Sequence, residues 1–201
     1  MSSPAKSIRR EIKLLDPEEI KDPMMVLNDF YTSQYYLADA VRRLHKWLRS
    51  AFASKSLLDK TETLNMLDFR DQLLKLMEAA WVLKQLPKAQ KKGIINPLNA
   101  TAMLNPILYC HPQLRHRDEW DNMPHHLTCV EYCNPYKAIN KYFRLKSLDE
   151  WRIYTEHLFY AAAYRDSIYS VLPDTDIDPY IYNRCLFKLL EACHLLVVRT
   201  Q

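Results

Sequence analysis

A single glycine, Gly93, stands in 201 residues, and that scarcity constrains the fold more than any motif does. Average usage of about 7% would supply roughly fourteen. Glycine-rich phosphate loops, dinucleotide fingerprints and nucleophile elbows need residues that let backbone approach a ligand or adopt φ > 0. None can be assembled here. Open sheets closed by tight hairpins draw on the same residue. An apolar content of 48% and an aromatic content of 11% are enough for a core, so the chain is expected to be ordered and all-α.

The helices repeat. Leu73 to Leu83 and Leu186 to Leu196 align at an offset of 113, with six of eleven positions identical. Asp22 to Tyr31 matches Asn134 to Phe143 at 112, and Leu37 to Phe52 matches Leu148 to Ala163 at 111. Three matches in chain order, with offsets drifting by one or two residues, read as an internally duplicated three-helix unit. The first helix of each unit opens on Asp22-Pro23 or Asn134-Pro135, an N-cap followed by a proline that needs no N–H. The second carries Leu37, Val41, Leu44, Leu48, Ala51 and Phe52, or Leu148, Trp151, Thr155, Leu158, Phe159 and Ala162. The third carries Phe69, Leu73, Leu76, Met77, Ala80 and Leu83, or Tyr182, Leu186, Leu189, Leu190, Cys193 and Leu196. That spacing keeps each set on one stripe, so the two units are expected to share a continuous interior.

The organisation that follows is an N-terminal basic helical segment over 1–21, a first repeat over 22–84, a linker over 85–133 and a second repeat over 134–201. Pro87, Pro97, Pro106, Pro112 and Pro124 break the linker into short pieces, with a helix expected over Pro97–Leu104. A second Asp-Pro start is expected at Asp16-Pro17-Glu18-Glu19.

Twenty-eight basic residues against 24 acidic ones give a formal charge of +4. Arg42-Arg43, Lys84, Lys88, Lys91-Lys92, Arg115 and Arg117 are where a phosphate backbone could be followed. Met1 to Leu15 lacks the apolar run of a signal peptide, and no stretch of about eighteen apolar residues predicts a membrane span. Five cysteines, an odd count, favour free thiols in a reducing compartment. The expected address is the cytoplasm, with no membrane partner.

Chemistry could sit in three places. Cys110, His111, His116, His125, His126, Cys129 and Cys133 fall within 24 residues. Zinc takes thiolate and imidazole tetrahedrally, and Cys110, His111, His125, His126, Cys129 and Cys133 are the candidate ligands. No Cys-x2-Cys knuckle is present, so surface histidines and packed cysteines are the simpler expectation. Glu191-x-x-His194 has the spacing of a carboxylate di-iron ligand pair, yet the matching place in the first repeat reads Glu78-Ala79-Ala80-Trp81. Lys75 and Lys188 precede Glu78 and Glu191 by three, the spacing of a helix-face ion pair.

The third is Arg152-Ile153-Tyr154-Thr155-Glu156-His157. Its Arg-x4-His spacing resembles the motif of HEPN-type helical bundles, often metal-independent ribonucleases. The resemblance covers six residues and implies Arg152 and His157 as catalytic residues acting on RNA phosphate. Ile153 departs from the pattern, which usually has a polar residue there.

No catalytic constellation is complete. The expected function is therefore a non-catalytic helical interaction or adaptor protein, with a protein partner and no cofactor. Its thirteen tyrosines offer interface area, and self-association is compatible with them. The alternatives are a HEPN-like ribonuclease or RNA-binding protein, and a zinc-binding protein.

Overall fold

The computed structural model describes residues 11–53, 58–87, 90–91, 105, 109, 119–164 and 179–200. Among them there is no strand. The helices are α1 (Pro17–Lys21), α2 (Pro23–Asp29), α3 (Leu37–Phe52), α4 (Lys60–Gln85), α5 (Cys129–Cys133), α6 (Pro135–Leu145), α7 (Leu148–Tyr164) and α8 (Pro179–Thr200). A π-helical turn, Phe30–Gln34, extends α2, and a 3-10 turn covers Glu119–Asn122. The helix expected over Pro97–Leu104 and most of the basic segment before Glu11 lie outside the described residues.

Local chemistry explains where the helices begin. Asp16, Asp59, Thr128 and Ser147 each accept from the N–H three residues on, while Glu19, Glu62, Glu131 and Glu150 reach back to their N-cap N–H groups. Four capping boxes thus satisfy helix-start donors that would otherwise lack partners. Asp22 caps α2 through Met24 N–H at 3.2 Å, as its position predicts. Its counterpart Asn134 makes no side-chain cap bond.

The stripes of α4 and α8 are buried in full: Phe69, Leu73, Leu76, Met77, Ala80 and Leu83, and Tyr182, Leu186, Leu189, Leu190, Cys193 and Leu196. So is the stripe of α7. On α3, Leu37, Leu44, Leu48 and Ala51 are buried, but Val41 and Phe52 lie only at the rim, and Ala40 and Trp47 take the centre. One hydrophobic cluster draws on all four of these helices together with α2 and α6.

The helix order in space differs from the order in the chain. α2 packs on α4, and α6 packs on α8. α3, however, lies mainly against α7 and α8 and only lightly against α4, while α7 lies against α3 and α4. Each second helix rests on the third helix of the other half. α4 is thus covered by α2 and α7, and α8 by α6 and α3.

Two carboxylates sit inside this crossing. Glu78 is fully buried and accepts from Lys13 N–H (3.1 Å), Leu14 N–H (2.8 Å) and Leu15 N–H (3.3 Å). Glu191, buried to 1% exposure, accepts from His125 N–H (2.8 Å), His126 N–H (2.7 Å) and Leu127 N–H (3.1 Å). A buried carboxylate without partners would cost several kcal/mol, and charge-assisted bonds of about 1.5–3 kcal/mol each offset that. Each glutamate gathers the bend just before α1 or α5. Neither forms the expected ion pair with the lysine three residues earlier. Lys75 instead reaches Glu19 at 2.6 Å, and Lys188 reaches Glu131. Burial works to raise the Glu131 carboxyl, but hydrogen bonds from Lys188 and Thr128 outweigh it and hold the group below its ordinary value.

Candidate functional site

α3 turns its apolar face inward, which leaves Arg42, His45, Lys46 and Arg49 together on its outer face at i, i+3, i+4 and i+7. Three adjoining hollows meet on this face. One of about 290 Å³ lies between α3 and α4, lined by Asp39, Arg42, Arg43, Lys46, Glu62, Asn65, Met66 and Phe69. A second, of about 720 Å³, follows α3 along Arg42, His45, Lys46, Leu48, Arg49 and Phe52. The third, about 520 Å³, is lined by His45, His125, His126, Tyr180, Asn183, Arg184 and Phe187. The first and second share Arg42 and Lys46, and the second and third share His45, so the three run on from one another along α3 as one groove.

The groove carries Arg42, Arg43, Lys46, Arg49 and Arg184 against two carboxylates, Asp39 and Glu62. Those two pair with Arg42 and Lys46. Its floor at the α8 end is Phe187. The His126 ring stacks on Phe187 at 4.7 Å and 11°, and the His45 ring lies 4.4 Å from it, tilted by 36°. The two imidazole centroids are 6.4 Å apart.

Buried Glu191 fixes His126 from below. Nδ1 of the ring donates to Glu191 Oε1 at 2.7 Å, while the residue's own N–H donates to Oε2. The acceptor is a carboxylate, so Nδ1 carries the hydrogen and Nε2 is the nitrogen left for the groove. His45 sits on the rim; burial, and then the neighbouring His126 charge, push its pKa below the ordinary histidine value.

The sequence-derived candidates disperse. Arg152 is 12% exposed, pairs with Glu78 and Asp149, and donates to Glu11 O at 2.6 Å. His157 lies on the same helix, half-buried, with Nδ1 out of contact with solvent and partners. Residues five apart on a helix are rotated by about 140° from one another. Cys110, His111 and His116 lie outside the described residues. Of the other zinc candidates, His125 and His126 line the groove, whereas Cys129 and Cys133 are exposed on α5. Among the described residues no three His, Cys, Asp or Glu side chains gather as a metal ligand set. His194 packs against Tyr31 and Tyr109, and burial pushes its pKa down to about 4. Glu191 beside it is committed to the 125–127 backbone.

Comparison with known proteins finds no matching family model, curated protein or solved structure.

Sequence reading missed two things. The chain before α1 matches the chain before α5 at an offset of 112, through Leu15, Asp16 and Glu19 against Leu127, Thr128 and Glu131. That signal was present in the capping-box spacing. The meeting of His45 with His126 had no sequence signal, because 81 positions separate them.

Proposed function

We propose that the protein is a helical binding protein that takes single-stranded nucleic acid along the groove of α3 and α8. The observation that carries this reading is the groove's five cations against two carboxylates over an aromatic floor. Cations follow a phosphate backbone, and the rings of His126 and Tyr180 at the groove wall offer faces to bases. The test is fluorescence anisotropy of a labelled oligonucleotide across a salt series. Affinity should fall steeply with salt, with a log–log slope of about −0.7 for each phosphate neutralised. Arg42→Ala, Lys46→Ala and Arg49→Ala together should flatten that slope. No binding at low salt, or binding indifferent to the triple substitution, would end the proposal.

A protein partner is the second reading, favoured by the outer face of α7. Ile153, Tyr160 and Tyr164 are exposed along that helix, and the two tyrosine rings stack at 5.6 Å. Ile153→Asp with Tyr160→Asp should then abolish capture of one stoichiometric protein, or self-association, while leaving the oligonucleotide affinity unchanged.

The same proposal includes an internal duplication and a cytoplasmic address. The duplication is supported by the matched carboxylates Glu78 and Glu191, each holding three successive N–H groups, and by the matched pairs Lys75–Glu19 and Lys188–Glu131. The address is supported by free thiols at Cys129, Cys133, Cys185 and Cys193. Among the described residues no helix is long and apolar enough to cross a membrane.

A further inference from the structure

We infer that the groove cleaves the RNA it binds, with His45 and His126 as the acid–base pair. This rests on the single-strand reading above. Two imidazoles face one hollow over a shared phenyl floor, 6.4 Å apart. A proton acceptor and a proton donor must each come within about 3 Å of a reacting oxygen, and two rings with centroids 6.4 Å apart that line the same hollow can both reach oxygens of one phosphate lodged in it. One ring is built in place. His126 is held at Nδ1 by a carboxylate that is itself fixed by three backbone N–H groups, which directs Nε2 outward. Two groups that can take and give a proton beside one hollow suit a reaction whose nucleophile belongs to the substrate.

RNA supplies that nucleophile. His45 takes the proton of a ribose 2′-hydroxyl, and O2′ forms a bond to the adjacent phosphorus. The P–O5′ bond breaks, and the departing O5′ takes a proton from His126. The products are a 2′,3′-cyclic phosphate and a 5′-hydroxyl end; no water, oxidant or metal enters the balance. Lys46 and Arg42 lie one turn or less from His45 on α3, and Arg184 faces it from α8. They oppose the charge that develops on the phosphate oxygens. DNA, which lacks the 2′-hydroxyl, is bound but not cut.

The glutamate equivalent to Glu191 gives the contrast. Glu78 is neutralised by Arg152, which cannot exchange a proton near neutral pH. At Glu191 the corresponding partner is a histidine at the groove wall. A purely structural need is met by either; only the second places a titratable ring beside bound phosphate.

The experiment incubates the full chain with a short labelled RNA and with the DNA of the same sequence, and reads both cleavage and anisotropy. Cyclic-phosphate ends from RNA alone are expected, with a bell-shaped dependence of rate on pH. His45→Ala and His126→Gln should each slow cleavage by about 100-fold or more while binding persists. His45 is exposed, so its variant folds whether or not His126→Gln does. RNA bound but left whole overturns the cleavage inference and leaves the binding proposal standing. No binding of either strand overturns both. Cleavage at an unchanged rate by the His45→Ala protein overturns the assignment of the pair.

Discussion

The carboxylate of Glu78 on α4 holds the guanidinium of Arg152 on α7, 74 positions further along the chain, with no solvent reaching the carboxylate. The pair bolts α4 to α7. The same carboxylate holds the N–H groups of Lys13, Leu14 and Leu15, so three parts of the chain meet at one charge.

Arg152→Ala should therefore lower the free energy of unfolding by about 3–5 kcal/mol, because it strands a buried charge. Urea denaturation measures this. Arg152→Ala combined with Glu78→Gln should cost less than the sum of the two single changes. A stable Arg152→Ala protein would remove the structural role assigned to this pair.

The two matched lysine pairs should differ in strength. Lys75–Glu19 is partly solvated, with Lys75 34% exposed, whereas Lys188 is 9% exposed against Glu131 at 6%. Lys75→Ala should cost at most about 1 kcal/mol, and Lys188→Ala about 3 kcal/mol or more. Thermal melts of the two variants side by side decide it.

The N–H donors can be removed singly. Leu14 has an exposed side chain, yet its N–H makes the 2.8 Å bond to Glu78. Leu14→Pro should lower stability by about 1–3 kcal/mol, while Leu14→Ala should be nearly silent in the same denaturation assay.

Acid should unfold the protein partly through His194. The unfolded chain takes up this proton near 6.5, whereas the folded chain, with the ring buried, takes it up only near 4. The unfolded state thus binds more protons inside that window, and stability falls as pH drops from 6.5 toward 4. The contribution is about 3 kcal/mol. His194→Leu should shallow the loss of stability between pH 7 and pH 4.5.

Core stripes can be told from exposed faces by substitution. Leu76→Asp or Leu189→Asp should abolish cooperative unfolding, since both side chains are fully buried. Asn140→Asp, on the exposed face of α6, should leave the melt within about 0.5 kcal/mol of the parent. Circular dichroism on heating distinguishes them.

The sequence by itself determined that the chain is helical, where most helices start and which stripes turn inward. These are local matters: one glycine in the whole chain, apolar spacing near 3.6, and Asp, Thr or Ser three residues before Glu. Tertiary structure decided what those stripes face. A stripe records that a surface is covered, not by which helix, so the lodging of α3 on α8 and of α7 on α4 was not legible. The same limit hid the glutamates. Three residues after a lysine, Glu78 and Glu191 read as solvated partners on a helix face. Only the folded chain brings three backbone N–H groups to each, which offsets the cost of taking a carboxylate out of water. The groove follows from that arrangement, because Glu191 sets the ring of His126 and the packing of α3 on α8 carries His45 to meet it.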